Sequence, residues 1–87
     1  MLIMKNDSFD FMDVDPGNLV IFDPDVGDTH FIEEIGIDIL NQIDGETDID
    51  DLINSLSTIY DVDIEVIKKD VYDFINELID KKVIIQL

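Results

Sequence analysis

The fold turns on three consecutive pieces of sequence: Leu19-Val20-Ile21-Phe22, then Asp23-Pro24-Asp25-Val26-Gly27-Asp28, then Thr29-His30-Phe31-Ile32. The outer two are short apolar runs of strand type. The middle one supplies the Pro, Gly and Asx chemistry of a chain reversal. Upstream, Ser8 to Asp13 alternates around Phe9 and Phe11, and Pro16-Gly17-Asn18 is a turn signal. Together these predict a three-stranded antiparallel meander.

From Glu33 onward the period becomes helical. Ile35, Ile39, Leu40 and Ile43 define one face of a short helix that Asp44-Gly45 closes, Gly being suited to the left-handed C′ position. Thr47 can cap a second helix whose apolar stripe is Ile49, Leu52, Ile53, Leu56 and Ile59. After Tyr60-Asp61-Val62, Asp63 can cap a third, carrying Ile64, Ile67, Val71, Phe74, Ile75 and Leu78. That helix ends near Lys81-Lys82, where cations suit the helix dipole. Val83 to Leu87 is too apolar for a frayed tail and is expected to pack back on the core or add an edge strand. The predicted class is α+β: a three-stranded antiparallel sheet followed by three helices, winged-helix-like, in one domain spanning residues 1–87.

Charge bounds the function. The 87 residues hold 22 acids against 5 Lys and no Arg, a net charge of −17. A polyanion would be repelled, so nucleic acid is not expected as a partner, and anionic membranes are disfavoured on the same ground. The acids are spread evenly, −10 over residues 1–44 and −7 over 45–87. A hydrophobic fraction of 46%, with 16 Ile, argues for a folded core rather than an acidic disordered chain. Met1-Leu2-Ile3-Met4 is apolar, but Lys5, Asp7 and Asp10 interrupt it too early for a secretory signal. No run approaches the roughly 20 apolar residues of a membrane span. A soluble, cytoplasmic protein is expected.

Catalytic chemistry is thinly represented. There is no Cys and one His, and Ser8, Ser55 and Ser57 lack an activating motif. His30 reads as an ordinary strand residue. Two Asp clusters fail as calcium loops. From Asp23, Gly27 stands at position 5 and Asp28 at position 6, where the loop needs the reverse; from Asp61, Val66 and Tyr72 occupy positions 6 and 12. An acyl carrier would need Asp-Ser-Leu at a helix start, whereas Asn54-Ser55-Leu56 lies inside a helix. A DNA-reading third helix would carry Asp63, Glu65, Asp70, Asp73, Glu77 and Asp80. No enzyme, cofactor or metal site is expected.

One pattern runs through residues 9–87. Leu19-Val20-Ile21-Phe22-Asp23, a turn, and Thr29-His30-Phe31-Ile32 lead into a helix ending Ile39-Leu40-Asn41-Gln42-Ile43-Asp44-Gly45. Asp48-Ile49-Asp50-Asp51-Leu52-Ile53 follows, then Tyr60-Asp61-Val62 and a long helix running into Val83-Ile84. This resembles the PqqD-like family, the recognition elements of ribosomal peptide maturation. Gly27-Asp28-Thr29-His30 is further similar to the branch encoded beside HPr-kinase-related proteins. The sequence departs from the family pattern at Glu33-Glu34, where Asn followed by a small residue or Pro is usual, and at Gly36, one position early for the expected small residue.

The resemblance implies a peptide chaperone. It would hold the leader peptide of a precursor and present it to a modifying enzyme, often a radical SAM enzyme. The leader would add as a strand to the edge of the third strand, at Thr29, His30, Phe31 and Ile32, against the third helix. Ile67, Val71 and Ile75 would form the apolar wall, with Lys68 and Tyr72 at the rim, and Lys68 or Lys69 able to pair with leader carboxylates. An open meander edge suits strand addition on physical grounds alone. It also permits a monomer or a homodimer, and a regulatory protein–protein contact through the same edge is the alternative, with an acidic calcium-binding protein as a third.

Overall fold

The computed structural model describes residues 1–15 and 17–87; Pro16, part of the expected Pro16-Gly17-Asn18 turn, lies outside the described residues. Strands β1 (Leu2–Lys5), β2 (Asp10–Asp15), β3 (Asn18–Phe22) and β4 (Thr29–Glu33) precede helix α1 (Ile35–Asn41). Strand β5 (Thr47–Asp48), helices α2 (Ile49–Tyr60) and α3 (Ile64–Asp80), and strand β6 (Ile84–Gln86) complete the chain. The α+β class and the β2-β3-β4 meander are as the sequence predicts.

The single sheet is not. A second three-stranded antiparallel sheet, ordered β5-β1-β6, is built from the two ends of the chain and a two-residue strand. Its centre is the opening Leu2-Ile3-Met4-Lys5, too uniformly apolar to announce a strand by alternation, although Ile3 is fully buried and Leu2 exposed. The Ile49 N–H donates to the Met1 carbonyl at 3.0 Å, and the Leu87 N–H to the Leu2 carbonyl at 2.9 Å. Asn6 closes the other end, its N–H donating to the Val83 carbonyl at 2.9 Å and its Nδ2 to the Lys82 carbonyl at 2.8 Å. The C-terminal residues therefore do form a strand, on β1 rather than on the meander.

Local details shift for related reasons. Thr47 does not cap α2, because it is extended and paired with Ile3; its Oγ1 accepts from the Asp44 N–H. Asp48 is the cap, its Oδ1 accepting from the Asp50 N–H at 2.8 Å. Asp63 occupies the N-cap position of α3 with no side-chain cap bond. Gly45 is left-handed as expected (φ 63°), but in the turn before β5, since α1 ends earlier with Gln42 as its cap. The stripes bury Ile39, Leu40, Ile43, Ile49, Leu52, Ile53, Leu56, Ile67, Val71, Ile75 and Leu78, while Ile35, Ile59 and Ile64 at helix ends are exposed. These buried residues form one cluster with Ile3, Phe9, Leu19, Ile21, Ile32, Val83 and Ile84.

The start of α1 is where the backbone is tightest. Glu34, its N-cap, has φ 50° and ψ −118° and makes no side-chain cap bond. That region favours glycine, and a residue with a Cβ is held there at a cost of ~1–3 kcal/mol. Two residues on, Gly36 is buried in the first turn of α1. A Cβ there would lie 2.7 Å from Ile32 Cγ2 and 3.1 Å from two ring carbons of Phe74. The missing side chain lets α1 pack directly against both β4 and α3.

Three substitutions measure these constraints by urea unfolding. Ile3→Ala removes the buried centre of the second sheet and is expected to lower stability by about 3 kcal/mol. Gly36→Ala forces Ile32 and Phe74 apart and is expected to cost ~1–3 kcal/mol despite the better helix propensity of Ala. Glu34→Gly relieves the positive φ and should stabilise by about 1 kcal/mol. Opposite signs at two positions so close together separate backbone strain from steric exclusion; equal signs would contradict the account.

Candidate functional site

The β4 edge is built by register. The sheet order is β2-β3-β4, so β4 pairs with β3 on one side only. The Asp23 N–H donates to the Asp28 carbonyl at 2.9 Å, one step beyond the Phe22–Thr29 pair. In an antiparallel ladder, pairs that exchange hydrogen bonds alternate with pairs that do not. His30 and Ile32 are therefore the residues that bond to β3. Thr29 and Phe31 direct their N–H and C=O groups away from it, along the edge.

The side chains divide by the same register. Ile32 lies opposite Leu19, and His30 opposite Ile21, on the face that meets the core. Phe31 lies opposite Val20, which lies opposite Met12, on the outer face. Phe31 is 75% exposed, an unusual position for an aromatic side chain within a strand.

Beside this edge is a cavity of about 430 Å³ lined by Thr29, His30, Phe31, Ile32, Phe74, Glu77, Leu78 and Lys81. One wall is β4 and the other is the C-terminal half of α3. The close approach at Gly36 joins them, because Ile32 and Phe74 are both lining residues and both touch that position. The Lys81 Nζ donates to Glu77 Oε1 at 3.1 Å, an i,i+4 pair across the helical wall.

Thr29, His30, Phe31 and Ile32 thus lie together at the edge, as expected. The helical residues proposed from the sequence are placed elsewhere. Ile67, Val71 and Ile75 are buried in the core cluster and are not among the residues lining the cavity. Lys68 is exposed, also away from the cavity. The Tyr72 hydroxyl donates to Asp50 Oδ1 at 3.2 Å, tying α3 to the start of α2; partial burial, then Asp50, raises its pKa. Lys69 is held by Asp73 at 2.6 Å, and that hydrogen bond raises its pKa too.

The residues missed by sequence reasoning are Glu77 and Lys81, together with Phe74 and Leu78 in the role of a wall. Phe74 and Leu78 stand at i and i+4 on the recognised stripe. What no local signal gives is where along its length α3 passes the β4 edge.

Two other depressions are less suggestive. One is bordered by Glu34, Ile35, Ile37, Asp38 and Tyr60, where the Tyr60 hydroxyl donates to Asp38 and has its pKa raised by that bond. The other, beside Ser57, Thr58, Asp61 and Asp63, lies at the α2–α3 connection. Among the described residues, no three His, Cys, Asp or Glu side chains gather in a way that could hold a metal ion. No described helix is long and apolar enough to cross a membrane.

No curated protein and no solved structure matches the chain. The family profile described as coenzyme PQQ synthesis protein D (PqqD) matches residues 18–84, from the first residue of β3 to the first of β6. That span takes in both walls of the cavity and well over half of the sequence, and the chain therefore belongs to the PqqD family.

Proposed function

We propose that this protein is a non-catalytic binding domain, residues 1–87, that takes the leader peptide of a ribosomally made precursor as an added strand on β4 and presents it to a modifying enzyme. Membership of the PqqD family supports the general kind of partner, a precursor peptide and its enzyme. The observation that carries the strand-addition reading is the outward direction of the Thr29 and Phe31 backbone groups beside a ready cavity. Affinity would come from those backbone bonds, and selectivity from side chains entering between β4 and α3. Helices α2 and α3 lead into β6, and we read this part as a winged-helix-like arrangement adapted to peptides, with an acidic surface that repels DNA. On this reading the partner enzyme, a radical SAM enzyme among the candidates, does the chemistry, in the cytoplasm.

Ile67, Val71 and Ile75 contribute in this scheme by fixing the position of α3 from the core side, while Phe74 and Leu78 meet the peptide. Lys68 and Tyr72 do not line the cavity, and the Tyr72 hydroxyl is bonded to Asp50, so neither is assigned a contact with the peptide.

The test is a titration of ¹⁵N-labelled protein with the synthetic leader of a precursor encoded beside this gene. Shifts should concentrate in 29–33 and 74–81. Saturable binding with shifts confined to other surfaces would favour the regulatory-contact alternative, and no binding would contradict the leader reading. Thr29→Pro removes one outward donor at the start of an edge strand and spares the β3 ladder. It should weaken leader binding by about tenfold with little loss of stability. Conversion of the precursor by this protein alone would overturn its non-catalytic assignment.

A further inference from the structure

We infer that the segment received at the β4 edge is net basic and sets a large apolar side chain beside Phe31; this rests on the strand-addition reading above. The apolar requirement follows from register. A strand bonded to the outward groups of Phe31 places one residue directly opposite it, in a hydrogen-bonded pair whose side chains share a face. That face already carries the cross-strand row Met12, Val20, Phe31, one residue from each strand of the meander. Met12 is 49% exposed and Phe31 75%, and Phe31 ends the row with a neighbour on one side only. An apolar side chain on the incoming strand extends the row by one member and covers the ring. Aromatic side chains in such positions become the anchors of interfaces.

The charge requirement follows from what surrounds the edge. Asp28 precedes β4, and Glu34 follows it at the start of α1. On the facing helix, Glu77 lines the cavity and Asp80 stands next to the lining Lys81, while Asp73, next to Phe74, is bonded to Lys69. Among the described residues, Lys81 is the one lysine lining the cavity, and it is bonded to Glu77. A chain of net charge −17 repels acidic peptides and steers basic ones toward it. The same repulsion opposes a second copy of the protein at this edge, so the occupant is a peptide of opposite charge rather than a homodimer partner.

Random peptides of about ten residues displayed on phage, panned against the full chain at ~0.15 M salt, test both requirements. The expected selection is rich in Lys and Arg around a central Phe, Tyr, Leu or Ile, and a selected peptide added to labelled protein shifts the amides of 29–33. In that peptide, replacing the central apolar residue with Ser should weaken binding about tenfold, and the same replacement should cost little against Phe31→Ala, since the two side chains form one contact. Acidic or neutral peptides that still shift 29–33 would overturn the charge inference and leave the edge reading intact. Additive effects of the two substitutions would overturn the Phe31 pairing alone. Basic peptides that bind without shifting 29–33 would mean diffuse attraction, and would overturn the edge reading and this inference together. No selection at all would count against both.

Discussion

The contact on which the site depends is one from which a side chain is missing. At Gly36 the first turn of α1 lies so close to Ile32 and Phe74 that even a methyl group would overlap the former. Ile32 belongs to the edge strand and Phe74 to α3, so the position sets the separation of the two walls of the cavity. A larger residue would open the groove or push β4 out of register with α3. The strained Glu34 just before it belongs to the same constraint: the chain must turn sharply to leave β4 and begin α1 at this distance. Strain of this kind persists only where the surrounding packing over-determines it, and here that packing is Ile32, Phe74 and the buried turn of α1.

The rest of the molecule supplies rigidity for that contact. Stability comes from aliphatic burial, since among the described residues no polar or charged side chain is buried and the lysine–carboxylate pairs, Lys69–Asp73 and Lys81–Glu77, are solvent-exposed. The second sheet holds the chain's ends beneath α2 and α3 through Ile3 and Ile84, leaving the β2-β3-β4 meander free to present its edge. The acids fall outside this core. An open strand edge in an isoleucine-rich protein invites self-pairing, and a net charge of −17 opposes it at long range without blocking the backbone groups that a basic segment would use.

How much was legible follows from how local each signal is. The meander could be read because alternation and the Asp23–Asp28 turn are written in contiguous residues, and the helices because their stripes repeat over several turns. Strand β1 could not, since Leu2, Ile3 and Met4 are all apolar and their partners, Thr47–Asp48 and Ile84–Gln86, lie at least 44 residues away. The Thr47 cap gave way to Asp48 for the same reason, because pairing with Ile3 claimed Thr47 for a strand. At the site, the edge residues 29–32 were visible as a strand of the right kind. Of the helical wall, Ile67, Val71 and Ile75 pack in the core and do not line the cavity, because periodicity gives the inner face of α3 but not the level at which it passes β4. Glu33-Glu34 and Gly36, noticed as departures from the family pattern, proved to mark the tightest part of the backbone.

Amide hydrogen exchange along β4 tests the central claim most directly. In the free protein, exchange should alternate: His30 and Ile32 slow, bonded to β3, and Thr29 and Phe31 fast, open at the edge. Saturation with the bound leader peptide should slow Thr29 and Phe31 by at least about tenfold while leaving His30 and Ile32 unchanged. Uniform exchange along β4 in the free protein, or Thr29 and Phe31 still fast in the saturated complex, would contradict an open edge that is completed by an incoming strand.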